Sequence, residues 1–125
     1  MPASTTVDDK VGIVFVRAWG VLLMEELVEA QKRIAEAPNF QPHFRELLDF
    51  ADVQESRLTP AGLQQMAATT PFKRNVPRAI VAKSEVLSAF FRMYGVFSGN
   101  DRLRWGIFQR LEDARAWLDA VSSST

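Results

Sequence analysis

Asp49 and Asp52 close the apolar stretch Arg45-Glu46-Leu47-Leu48-Asp49-Phe50. Two carboxylates at a strand end can do acid–base work, and ligands of open α/β sheets collect at the carboxyl ends of strands. Their plainer use is to accept backbone N–H bonds in a turn. Two hydroxyls follow, Ser56 and Thr59, just ahead of a helix. A phosphate on either would meet that helix N-terminus favourably, although capping already accounts for Thr59 and simple exposure for Ser56. His43 stands between Pro42 and Phe44. Catalysis by it would need a nucleophile or carboxylate in reach, and the neighbouring sequence supplies none. Phe72-Lys73-Arg74 lies between Pro71 and Pro77. An aromatic beside two cations suits an anionic ligand, a membrane surface or a partner. The alternative is Phe72 tucked under its loop with the two basic residues solvated.

Composition removes several classes of chemistry. There is no cysteine, which excludes disulfides, thiolate catalysis and zinc–thiolate sites. With one histidine, a transition-metal site would have to rest on carboxylates, and none cluster suitably along the chain. No cofactor, no metal and no enzymatic activity are therefore expected. Fifteen basic residues balance fifteen acidic ones. Zero net charge argues against a nucleic-acid partner, which needs a basic footprint, and leaves little repulsion between copies. A length of 125 residues fits one domain. No apolar run is long enough to span a bilayer, and the first ten residues lack the basic start and apolar core of a signal peptide, so a cytoplasmic protein is expected.

The elements that position these residues alternate in type. Strand-like runs at Val11–Ala18, Arg45–Phe50, Arg78–Ala82 and Arg104–Phe108 are each followed by an amphipathic helical segment, the pattern of a parallel sheet covered by helices. Ser4–Asp8 reads as a short first strand. Gly20 is expected to end the second strand, with a helix over Leu22–Glu36. Ala51–Leu58 reads as a loop. Thr59 and Pro60 then open a helix as N-cap and first-turn proline, with Leu58 and Leu63 as a hydrophobic staple. Ser84 caps a third helix that runs to Phe97, and Leu111–Val121 forms a fourth with Leu111, Ala114 and Leu118 inward. The expectation is a single α/β domain: a mainly parallel sheet of four to five strands with four main helices.

The third helix is apolar over an arc of roughly 160°, where a core stripe needs about 100°. Phe90 sits near the middle of that arc, and Leu87 and Phe91 sit at its edge. Phe72, Leu87, Phe90, Phe91 and Tyr94 are therefore the candidate ligand or partner surface.

Taken in order, Arg17-Ala-Trp-Gly20, Ala37-Pro-Asn-Phe40, Leu47-Leu-Asp-Phe50, Arg78-Ala-Ile-Val-Ala82, Phe91-Arg-Met-Tyr94 and Leu111-Glu-Asp-Ala-Arg-Ala-Trp-Leu118 resemble the STAS fold of anti-sigma-factor antagonists. The chain is most similar to the SpoIIAA-like branch, which also resembles CRAL-TRIO lipid-carrier domains. Phosphorylated STAS antagonists carry Asp-Ser-Ser-Gly where the loop enters the second helix. Here that stretch is Glu55-Ser-Arg-Leu-Thr-Pro60, without the motif. The SpoIIAA-like branch has no general assigned activity, so the resemblance implies the fold. The function expected is a non-enzymatic STAS-like interaction or regulatory module that binds a protein partner or itself, and zero net charge with the wide apolar arc of the third helix points to a homodimer. The alternative is a carrier or sensor of a small apolar or lipid-like ligand held under the third helix by Phe90, Phe91 and Tyr94. An internal cavity would favour the carrier, and an exposed apolar face would favour the module.

Overall fold

Strand β1 (Ala3–Asp8) and strand β2 (Ile13–Leu23) form an antiparallel hairpin in register from Ala3 opposite Ala18 to Asp8 opposite Ile13. Its turn is closed by the Gly12 N–H on the Asp8 carbonyl at 2.9 Å, with Gly12 at φ +68° where a side chain would be strained. In this computed structural model, which describes residues 3–97, 99 and 104–123, three strand–helix units follow. They are α1 (Met24–Glu36), β3 (Arg45–Arg57), α2 (Pro60–Ala68), β4 (Arg78–Val81), α3 (Glu85–Phe97), β5 (Trp105–Phe108) and α4 (Leu111–Ser123). The strands lie in the order β1-β2-β3-β4-β5. β2 to β5 are parallel and β1 is antiparallel, so the sheet is mixed, with one antiparallel edge.

Alternation along the strands divides the core in two. Val14, Val16 and Ala18 of β2, with Leu48, Phe50, Ile80 and Ala82, pack under α1, α2 and α3. Ile13, Leu47, Ala79 and Val81 pack on the other face against Ala114 and Leu118 of α4. Every residue of β4 is buried, as expected of an inner parallel strand covered on both faces.

Several expectations need correction. Gly20 does not end β2. It takes φ +68° inside the strand, and β2 continues beside β3 from Trp19 opposite Asp52 to Leu23 opposite Arg57. Ala51–Leu58 is accordingly strand as far as Arg57, and α1 starts at Met24. The ladder slips between Arg17 and Trp19 and again between Gly20 and Val21, each time with an extra residue on β3. Such bulges add twist without ending the pairing. Leu22 and Leu58, both buried, hold the far end of the ribbon against the core. In α4, Leu111 is exposed while Ala114 and Leu118 face inward.

The last correction concerns α3. Leu87, Phe91 and Tyr94 are buried, with Ser88 and Gly95 on the same side, and Phe90 is only half-buried. The helix closes on the sheet through this face, and small residues mark the tightest approach. A Cβ on Gly95 would fall 2.8 Å from the Trp105 ring. Averaging hydrophobicity round the helix ignores such small residues and places the inward face too far toward Phe90. Both expected helix caps are present: Thr59 Oγ1 accepts the Gly62 N–H at 3.0 Å, and Ser84 Oγ accepts the Leu87 N–H at 3.0 Å. Leu58 and Leu63 are both buried at the start of α2, as a staple requires.

Candidate functional site

With one side of α3 given to the sheet, its remaining apolar residues face outward. Val86, Val96 and Phe97 are 61%, 78% and 38% exposed, and Phe90 and Met93 are half-buried between them. Val86, Phe90, Met93 and Phe97 follow one another at steps of four, three and four residues, so they line one stripe of the helix. That spacing reads the same in both directions. Glu85 and Arg92, both exposed, flank the stripe. Clustered apolar side chains left in water mark interaction sites more often than scattered ones do.

Beneath α3 lies the one buried ion pair of the described residues. Glu46 and Arg78 are cross-strand neighbours on β3 and β4, and their side chains meet at 2.7 Å with both buried. The Arg78 guanidinium also donates to the Tyr94 hydroxyl at 3.3 Å. Its carbon lies 5.0 Å from the Phe72 ring, 5.1 Å from Tyr94 and 5.0 Å from Trp105, a box of three aromatic faces. Trp105 is fixed in turn by its indole N–H on the Phe91 carbonyl at 3.0 Å. Burial works against the Arg78 charge, but Glu46 and the Tyr94 hydroxyl outweigh it and raise the pKa above the ordinary arginine value. The adjoining cavity, lined by Leu27, Leu48, Phe72, Phe91 and Tyr94 among others, measures about 30 Å³. That is room for one water molecule.

Midway along β2 and β3, where the ladder bulges, lies a more polar rim that holds the two aspartates inside β3 rather than at its end. Asp52 pairs with Arg17 at 2.7 Å, and the Arg17 guanidinium lies 5.0 Å over the Trp19 ring. Both partners of the ion pair are half or more exposed, so it adds little to stability. Asp49 instead accepts the Ala51 N–H at 3.2 Å, a local backbone bond made inside the bulged stretch of β3. The two carboxylates thus go to different partners and line different depressions. Asp52 borders one of about 590 Å³ with Arg17 and Trp19. Asp49 borders an apolar groove of about 450 Å³ between β2 and α4, with Phe15, Leu47, Leu111 and Arg115.

The remaining candidates are dispersed. Ser56 is half-buried in β3 opposite Leu22, and Thr59 is exposed and used as the cap of α2. His43 is exposed, with its ring edge-on to Phe44 at 5.1 Å. Phe72 is buried, its ring edge-on to Phe40 at 5.1 Å. Phe72, Leu87, Phe91 and Tyr94 therefore belong to the interior, and of that candidate surface only Phe90 reaches the outside. The outward residues Val86, Met93, Val96 and Phe97 lie outside it, because averaged hydrophobicity gives the helix a different rotation from the one it has. Among the described residues no three metal-ligating side chains come together, and no helix is long and apolar enough to cross a membrane.

No protein-family model matches the chain, and no curated protein matches it. Among solved structures, it is similar to an uncharacterised protein of the DUF3478 family with a SpoIIAA-like fold, from Shewanella loihica PV-4. The two share 20% identity over 93% of each chain with a TM-score of 0.60. The fold of this chain is SpoIIAA-like, as the order of its motifs implied, and at that identity the likeness speaks to fold alone.

Proposed function

We propose that this SpoIIAA-like domain is a non-enzymatic interaction module that pairs with a second copy of itself through the outer face of α3. The observation that carries this is the outward stripe Val86, Phe90, Met93 and Phe97, with Val96 beside it. A two-fold interface needs a patch complementary to itself. An axis passing between Phe91 and Arg92 sets Val86 of one copy on Phe97 of the other, and Phe90 on Met93. The four-three-four spacing is that of a short coiled-coil seam, and antiparallel pairing brings unlike positions of that seam together. Zero net charge adds no repulsion between copies.

One helix per copy is a small contact beside the roughly 1,600 Å² of a standard stable interface. The pairing is therefore weak and concentration-dependent, as suits a regulatory contact. The carrier reading has less support. Beneath α3 there is space for a single water, so an apolar ligand would have to displace the helix.

Sedimentation velocity over a concentration series tests the proposal. Self-association is expected at high micromolar concentration, and Val86→Lys should abolish it with an unchanged melting temperature because Val86 is already largely in solvent. A parent protein that stays strictly monomeric would overturn it.

A further inference from the structure

The loop between α2 and β4 is pinned at several points. The Lys73 N–H donates to the Pro42 carbonyl at 2.7 Å, Phe72 is buried, and Asn75 turns the chain at φ +64°. Arg74 Nε donates to the Gly99 carbonyl at 3.3 Å, which ties the loop to the end of α3. Lys73 and Arg74 are exposed, and no described carboxylate lies within ion-pair distance of either. Both line a depression of about 340 Å³ whose other walls include Thr70, Phe72, Arg78 and Phe97. No carboxylate is among its described lining residues.

We infer that this depression binds the phosphate group of a small phosphomonoester. Two exposed cations, neither paired with a described carboxylate, match the charge of a phosphomonoester, which is close to −2 at neutral pH. Arg74 offers planar paired donors, Lys73 a mobile point charge and Thr70 a hydroxyl donor. Arg78 at the floor is already neutralised by Glu46, so it shapes the site without adding net charge. Phe97 and Phe72 supply an apolar wall for the carbon body of the ligand, and the volume lies at the small end of the range for ligand sites. A carboxylate monoanion would leave one of the two cations unmatched. Because the loop is held before any ligand arrives, little ordering is required on binding. The site does not depend on self-association, although Phe97 belongs to both surfaces.

The test is an NMR titration with phenyl phosphate, inorganic phosphate and benzoate, at low and at high salt. Saturable shifts are expected at Thr70, Lys73, Arg74 and Phe97. Phenyl phosphate should bind more tightly than inorganic phosphate, benzoate should bind little, and salt should weaken both phosphates. Lys73→Ala should keep its melting temperature, and the double variant Lys73→Ala/Arg74→Ala, which also loses the exposed Arg74–Gly99 bond, should stay folded with at most a small loss. The double variant should lose about tenfold or more in affinity. The monomeric Val86→Lys variant should bind as the parent does, which separates this site from the pairing of α3. Equal binding of benzoate, or shifts that survive the double variant, would overturn the inference. So would binding to phosphatidylglycerol vesicles without any response to phenyl phosphate, which would make the loop a membrane contact.

Discussion

Glu46→Leu removes the only carboxylate among the described residues that meets the buried Arg78 guanidinium. Leucine has similar volume, so the variant isolates the charge rather than opening a large cavity. Arg78 would keep the Tyr94 hydroxyl at 3.3 Å and the three rings at about 5 Å, but none of these carries a formal negative charge. Removing one partner of a buried ion pair costs about 3–5 kcal/mol, because a charge remains in a poorly polar site. That is a large share of the roughly 5–15 kcal/mol of a typical domain. With a urea slope of about 2 kcal/mol per molar, the midpoint should fall by about 2 M. Replacing both residues, Glu46→Leu with Arg78→Met, removes the charge together with its partner, and buried pairs replaced in this way are often neutral or more stable. The double variant should therefore recover most of the loss. Urea denaturation followed by tryptophan fluorescence suits the question, since Trp105 packs on Arg78 itself. A single variant within 1 kcal/mol of the parent, or a double variant less stable than the single, would refute this reasoning.

Other variants probe the helices. Phe91→Ala should cost about 3–5 kcal/mol as a core cavity, and Phe90→Ala clearly less because its ring is half outside; equal losses would mean that α3 is rotated from the position described. Thr59→Ala should cost about 1 kcal/mol through the lost cap on the Gly62 N–H and leave self-association unchanged in sedimentation. If that substitution changes association without lowering the melting temperature, the hydroxyl has a role beyond capping.

Local signals account for what the sequence made legible. Thr59-Pro60 and Ser84 name their helices because capping is a property of a few adjacent residues, and both caps are made. Val14, Val16 and Leu48 alternate with Ile13 and Leu47 between the two cores, which the apolar runs of β2 and β3 foretold. Gly20 misled because it is read as a breaker, whereas here it lies in β2 beside a bulge of β3, in a strand held by pairing from Asp52 to Arg57, a tertiary effect. The rotation of α3 was missed for a related reason. Ser88 and Gly95 mark its inward side by being small, and their value appears only when Trp105 is set against them. The Glu46–Arg78 pair gave no distinct signal, since β3 carries several other charged residues and Arg78 stands at the start of β4. The register that makes them neighbours cannot be derived from one chain. Asp49 and Asp52, expected at a strand end, fall inside β3 because the strand runs on to Arg57, and the bulge between them sends their carboxylates to different partners.

The pairing of α3 can be read directly by cross-linking, and the absence of native cysteine makes the experiment clean. Val86→Cys and Phe97→Cys variants are oxidised separately and as an equal mixture. Antiparallel pairing about an axis between Phe91 and Arg92 predicts a disulfide dimer in the mixture, joining position 86 of one copy to position 97 of the other, with little product from either variant alone. Cross-linking of Val86→Cys to itself, or no mixed product at concentrations where the parent associates, would contradict it.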